Sequence, residues 1–202
     1  MTTPPPSPFR YFQDPHHFSS YQDDGEMCSY CGLVGPGYGG GSYWEADPDD
    51  YVEYQDFICG VCLVDGKLTA KGLPVEDGER LRRDISLRRP ELSNAEVEML
   101  ARQRTSEVEQ RTPRIKGWPL YHWMTHCGDF CCYIKEVGQL NIQRLAPDGD
   151  GRAFLDSLLG GDVWGDVRPD APEDSSVQHH VGIYLFQCLE CGKYRVGIRY
   201  GV

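Results

Sequence analysis

Cys28-Ser-Tyr-Cys31-Gly32 and Cys59-Gly-Val-Cys62 are the stretches whose reading decides the fold. They are two Cys-x-x-Cys pairs separated by 27 residues. Each such pair can wrap one edge of a tetrahedral Zn2+, and the segment between them closes the site. Gly32 stands where the first turn needs positive φ. A knuckle, a hairpin and a second pair at a helix start describe a treble-clef or zinc-ribbon-like module over about residues 26–72. Ser42-Tyr43-Trp44 and Tyr51-Val-Glu-Tyr54 are expected to be short strands around an acidic turn. Leu63 to Lys71 can form the short helix, and Gly35 to Gly41 is too glycine-rich for one. Four thiolates leave a Zn2+ no open position, so this site is expected to be structural, contributing ~10–16 kcal/mol to folding.

Working outward, Cys188-Leu-Glu-Cys191-Gly192 repeats the knuckle between two β-rich runs, 182–187 and 193–200. A hairpin with a knuckle at its tip is therefore expected over 182–202. It brings only two ligands. The stretch Tyr121 to Val137 suits a helix after Pro119, ending at a Gly138 C-cap, and Cys127 and Cys131 on one face of it offer the second pair. His126 or Cys132 could substitute for one of them. The competing reading is that Cys127, Cys131 and Cys132 simply fill the core, as free cysteines often do. An enzymatic alternative uses His126, Cys127 and Asp129 with Cys188 and Cys191, because a thiolate beside a histidine is raw material for nucleophilic or zinc chemistry.

The remaining chain supplies helices and loops. Residues 1–8 read as a flexible Pro-rich leader, and 9–202 as one zinc-stabilised domain with a helical middle at 93–160. Residues 74 to 92 mix charge with proline and read as irregular. Ser93-Asn-Ala-Glu96 is a capping box that opens a helix running to about Gln110, before Pro113. Arg152 to Leu159 is a short helix stopped by Gly160-Gly161. The fold class is α+β, with small antiparallel hairpins and zinc knuckles packed with a few helices.

The chain has 202 residues, nine cysteines and a net charge of −11. No apolar run approaches the ~20 residues of a membrane span. An odd cysteine count in metal-type pairs, with no secretory signal, suits a reducing cytoplasm. The negative charge disfavours nucleic acid and would steer basic partners in. Arg80, Arg82, Arg83, Arg88 and Arg89 form the basic cluster and read as a solvated segment. Two acidic surfaces are partner candidates. The first is Asp47, Asp49, Asp50, Glu53 and Asp56; the second is Asp162, Asp166, Asp170, Glu173 and Asp174.

Several motifs taken in order resemble one family. They are Arg10-Tyr11-Phe12, Cys28-x-x-Cys31, the run Ile58 to Gly66, Arg111-Thr-Pro113 and Gly117-Trp118. The cluster His126-Cys127-Gly-Asp129-x-Cys131 and the run Tyr184 to Lys193 complete the match. Together they resemble the CbrC family of bacterial proteins, associated with tolerance of DNase colicins. The insert at 35–41, the stretch 74–92 and the acidic loop 162–176 depart from its pattern. The resemblance implies a cytoplasmic zinc protein of protective or immunity type, with no catalytic activity attached. A non-enzymatic factor that neutralises a toxin, such as a basic nuclease, follows as the expectation.

Overall fold

The computed structural model describes residues 8–44, 53–68, 78–116, 123–170 and 181–200. In order its elements are α1 (Pro15–Phe18), β1 (Tyr21–Met27), β2 (Val34–Trp44), β3 (Glu53–Cys59), α2 (Gly60–Val64), α3 (Gly78–Arg88) and α4 (Asn94–Arg111). There follow β4 (Thr125–His126), β5 (Asp129–Phe130), β6 (Cys132–Val137), α5 (Gln139–Leu145), α6 (Gly151–Leu159), β7 (Gly182–Gln187) and β8 (Tyr194–Arg199). The fold is α+β with small antiparallel sheets, as expected. The chain forms two compact units, Met1–Pro74 with Gln103–Lys116, and Val75–Arg102 with Gly117–Val202. The sequence reading took 9–202 as one domain. Residues 1–7 of the expected leader lie outside the described residues.

In the first unit β1, β2 and β3 form one antiparallel sheet with β2 in the middle. The glycine run belongs to β2, and close packing requires glycine at position 37 within it. A Cβ on Gly37 would lie 2.5 Å from the Ile58 carbonyl oxygen and 2.7 Å from the Phe57 ring. A Cβ on Gly25 would lie 2.6 Å from the Gly35 Cα. Only glycine lets these backbones approach so closely. Ser42, Tyr43 and Trp44 pair with Gln55, Tyr54 and Glu53, so the two expected strands do pair, while the acidic turn 45–50 and residues 51–52 lie outside the described residues. Tyr11, Phe12, Ile58 and Leu63 are fully buried. Phe9 meets Tyr38 edge-on at 5.6 Å between ring centres, which ties the start of the chain to the sheet. The short helix α2 begins at Gly60, ahead of the expected Leu63 start, because Cys59 is its N-cap.

The second unit corrects three expectations. Residues 78–88, read as irregular, form α3. Leu81 and Ile85, one turn apart, are its buried stripe, and the surrounding charge conceals so narrow a pattern. Arg82 pairs with Glu98 of α4, as does Arg102. The stretch expected as a helix to Val137 is β structure from Thr125 onward. Cys127 and Gly128 have φ of 57° and 76° and join β4 to β5, with His126 opposite Asp129. Two consecutive positive-φ residues are the signature of a type I′ hairpin turn, which no helix accommodates. Gly138, expected as a helix C-cap, is the N-cap of α5, where its N–H donates to the Asn141 side-chain oxygen at 3.2 Å.

Two expectations about helices hold. Ser93 and Glu96 form the capping box of α4: the Ser93 N–H donates to the Glu96 carboxylate at 2.8 Å, and the Glu96 N–H to Ser93 Oγ at 3.4 Å. Helix α6 starts at an Asp150 cap and stops at Gly160, whose φ is 73°. β6, β7 and β8 form an antiparallel sheet in that order. Its apolar face, with Val137, Ile183, Leu185 and Val196, packs against Ile142 of α5 and Leu155 of α6. Burying each such side chain stabilises by about 1.5–3 kcal/mol.

Candidate metal centres

The first centre is assembled by the sheet of the first unit. Cys28 and Cys31 lie in the turn from β1 to β2. The Gly32 N–H donates to the Cys28 carbonyl at 2.8 Å, the Cys28 N–H donates to the Leu33 carbonyl at 2.9 Å, and Gly32 takes φ 72°. Cys59 ends β3, and Cys62 lies in the first turn of α2. The four Sγ atoms all lie within 4.8 Å of one another, and Cys31 Sγ is 3.8 Å from Cys59 Sγ. A tetrahedron with metal–sulfur bonds of ~2.3 Å has an edge of about 3.8 Å, so the spacing fits.

Backbone donors prepare these thiols for a cation. The Cys59 N–H donates to Cys28 Sγ at 3.4 Å, and the Cys62 N–H to Cys59 Sγ at 3.5 Å. Burial alone would raise the Cys28 thiol, but N–H groups of Cys59, Tyr30 and Cys31 outweigh it and bring the pKa down to about 6. Burial and the neighbouring Cys59, Cys31 and Cys28 sulfurs push Cys62 up to about 12. Sulfurs that cannot all ionise together without a positive charge between them are the donor chemistry of a thiolate metal site.

The second centre lies in the second unit. Its knuckle reproduces the first: the Gly192 N–H donates to the Cys188 carbonyl at 3.0 Å, the Cys188 N–H donates to the Lys193 carbonyl at 2.9 Å, and Gly192 has φ 69°. The donors facing it are His126 and Cys127, which the β4–β5 turn projects together. His126 Nδ1 lies 3.2 Å from Cys127 Sγ and 3.3 Å from Cys191 Sγ, and the four donors are mutually within 4.8 Å. Bonds of ~2.0 Å to nitrogen and ~2.3 Å to sulfur imply an edge near 3.5 Å. Among the described residues, Cys127 is the one non-glycine residue with positive φ, a strained conformation held at the point of ligation.

The electrostatics of this centre follow the first. Backbone donation from Lys193, followed by the Cys188 and Cys127 sulfurs, lowers the Cys191 thiol against a smaller effect of burial. Burial, then Cys191 and Cys188, pushes Cys127 up to about 12. Burial, then the Arg195 and Arg88 charges, holds His126 below the ordinary histidine range, so the neutral, ligating form is favoured.

Cys131, expected as the fourth ligand, is not in the cluster, and His126 takes that place. Cys131 is fully buried beside Trp123, whose Nε1 donates to the Cys131 carbonyl at 2.8 Å. In a helix Cys127 and Cys131 would share a face. In the hairpin the chain turns back at Gly128, so Cys131 points into the core instead. Cys132 is also outside the cluster, and burial raises its thiol to about 11. Asp129 accepts from the Phe130 N–H at 2.8 Å and is not one of the clustered donors.

Of the acidic candidates, Asp47, Asp49, Asp50, Glu173 and Asp174 lie outside the described residues. Glu53 and Asp56 belong to β3. Asp162, Asp166 and Asp170 are exposed, and Asp162 pairs with Arg152. Strand β1 adds exposed Asp23, Asp24 and Glu26, which sequence reasoning passed over. The dipeptide Cys127-Gly128 between His126 and Asp129 was the available signal for the turn that makes His126 a ligand.

An α+β protein with two separate four-donor clusters, each able to hold a metal ion, is the class that fold and site define. The chain belongs to the UPF0167 family, an uncharacterised protein family whose model matches residues 7–199. A UPF0167 protein of Pseudomonas aeruginosa is 28% identical over 193 residues, covering 94% of each chain. UPF0167 proteins of Mycobacterium bovis and Mycobacterium tuberculosis are each 29% identical over 189 residues, covering 91% of this chain and 88% of theirs. No solved structure matches. The expected CbrC membership is thereby corrected: the matching family model and relatives are UPF0167. No helix of the described residues is long and apolar enough to cross a membrane.

Proposed function

We propose that both clusters hold Zn2+ as structural ions, and that the protein works without catalysis by binding a basic protein partner. The observation carrying this reading is that each cluster supplies four protein donors at tetrahedral spacing. A Zn2+ so enclosed keeps no position for water or substrate, in contrast to catalytic zinc with three protein ligands. Function then falls to the surface, and the chain's charge of −11 suits a cationic partner. A toxin domain with a basic, phosphate-binding active site is the partner class that such a protein would neutralise, acting in the cytoplasm.

The test has two parts. Metal analysis of purified protein is expected to give two Zn2+ per chain. Binding to basic toxin domains encoded beside the gene is expected to weaken steeply with salt, as screening requires. Failure to bind any such domain, or binding indifferent to salt, overturns the partner reading; one Zn2+ or none overturns the structural one.

A second reading is favoured by the 3.2 Å approach of Cys127 Sγ to His126 Nδ1, the spacing of a nucleophile and its base. The Cys127 thiol is pushed up, however, where an activated cysteine would be pulled down. Fast, selective alkylation of Cys127 in zinc-loaded protein would favour that alternative.

A further inference from the structure

The first centre carries an apolar surface that metal ligation does not require. Leu33, Val34, Val61 and Val64 are exposed and line one cleft of about 660 Å3. Met27 is exposed too and extends the patch, because it stands opposite Val34 in the β1–β2 pairing and shares its face of the sheet. Among the described residues the other large exposed apolar side chains are scattered. They are Leu87 on α3, Met99 on α4, Leu140 on α5, Leu189 in the second knuckle and Tyr200 after β8. Single apolar side chains at a surface are ordinary, whereas a contiguous patch with a polar rim marks an interaction site.

The second knuckle is an internal control. The residue after its glycine, Lys193, accepts from the Cys188 N–H at 2.9 Å. In the first knuckle Leu33 accepts from the Cys28 N–H at 2.9 Å, yet its side chain is 70% exposed. The turn uses only the backbone of this residue, so neither ligation nor the core accounts for a leucine facing solvent there. Val61 lies between the ligands Cys59 and Cys62 and is likewise 71% exposed.

Charge indicates what would cover the patch. Gln22 to Met27 of β1 are all exposed, and they include Asp23, Asp24 and Glu26 with no lysine or arginine. Asp23 stands against the cleft wall, where burial and then its carboxylate raise the Tyr21 hydroxyl. Asp65 also lines the cleft, 3.9 Å from Lys67 Nζ, and among the described residues no arginine or lysine lines it. A second copy of the chain would bring the same acidic strand to the contact, where like charges oppose association. An anionic membrane surface would be repelled as well. An apolar centre with an acidic rim instead complements an apolar side chain flanked by cations.

We propose that this face docks a basic protein segment, with an apolar side chain seated between Leu33, Val34, Val61 and Val64 and its lysines or arginines against Asp23, Asp24 and Glu26. The proposal rests on the reading that the protein binds a basic protein partner. It puts the contact beside the first metal centre rather than on the acidic surfaces expected from sequence.

The experiment is a fluorescence anisotropy titration of full-length, zinc-loaded protein with labelled peptides of equal length. One alternates lysine with leucine, one lysine with serine, and one glutamate with leucine. Saturable one-to-one binding of the lysine–leucine peptide is expected, weakening with salt, with the lysine–serine peptide about tenfold weaker and the glutamate–leucine peptide not binding. Leu33→Gln combined with Val61→Gln should weaken the lysine–leucine peptide about tenfold or more. Asp24→Asn with Glu26→Gln should weaken it by less and flatten its salt dependence. Zinc content and near-ultraviolet dichroism should match the wild type in every variant compared. If the Leu33, Val61 pair of changes loses zinc, Val34→Thr, which keeps the β-branched shape, takes its place. No binding of the lysine–leucine peptide, equal binding of the lysine–serine peptide, or binding unchanged in a folded apolar variant overturns the proposal. Sedimentation showing a dimer that Val61→Gln disperses would assign the face to a second copy and overturn it too. Toxin domains that bind in a salt-sensitive way but ignore the Leu33 and Val61 changes remove this site and leave the partner-binding reading standing.

Discussion

Replacing His126 and Cys131 separately by alanine distinguishes the two possible architectures of the second centre. In the hairpin geometry His126 Nδ1 is 3.3 Å from Cys191 Sγ, whereas Cys131 is fully buried outside the cluster. A structural zinc site contributes about 10–16 kcal/mol, or roughly 3 kcal/mol per donor if shared equally among four. His126→Ala should therefore weaken the second ion by about two orders of magnitude. Under a matched chelator the metal ratio should fall from two per chain toward one. Cys131→Ala removes a single buried sulfur and should cost about 1 kcal/mol of stability with the metal ratio unchanged. The Trp123 contact survives that change, since it goes to the backbone carbonyl. The assay is metal analysis after dialysis against a graded chelator, with urea unfolding alongside. Loss of the second ion from Cys131→Ala, with His126→Ala retaining both, would refute the hairpin assignment of ligands.

Two further outcomes are expected. Cys59→Ser should unfold β1–β3 and α2, because Cys59 both joins the first cluster and caps α2; a fully folded, soluble variant by proton NMR would sink this. Glu136→Gln should stabilise the protein at neutral pH. Burial raises the Glu136 carboxyl above its ordinary 4.5, with Arg199 and Arg168 offsetting only part of the effect. The stabilisation from a raised carboxyl is complete below its unfolded pKa and is lost as pH rises through the folded value, leaving a desolvated charge at pH 7. Urea midpoints should separate at pH 7 and converge toward pH 4, and an equal gain at both would argue against burial as the cause.

The sequence by itself determined what depends on near neighbours. The knuckles at Cys28-x-x-Cys31-Gly32 and Cys188-x-x-Cys191-Gly192 were legible because a cysteine spacing and a positive-φ glycine are written within five residues. The Ser93–Glu96 capping box and the Gly160 stop are likewise local. Tertiary structure alone decided the rest. Whether 125–137 is helix or strand turns on the pairing of β6 with β7, some fifty residues away. In isolation the aromatic and apolar residues there satisfy either period. The fourth ligand followed from that choice: a helix offers Cys131, and the hairpin turn at Cys127-Gly128 offers His126. Helix α3 was hidden because its two buried residues, Leu81 and Ile85, become a core face only where the β4–β5 turn meets them. Gly128 shows how close that approach is, since a Cβ there would lie 3.3 Å from the Ile85 backbone. The sequence names the donors, and non-local burial selects which of them converge.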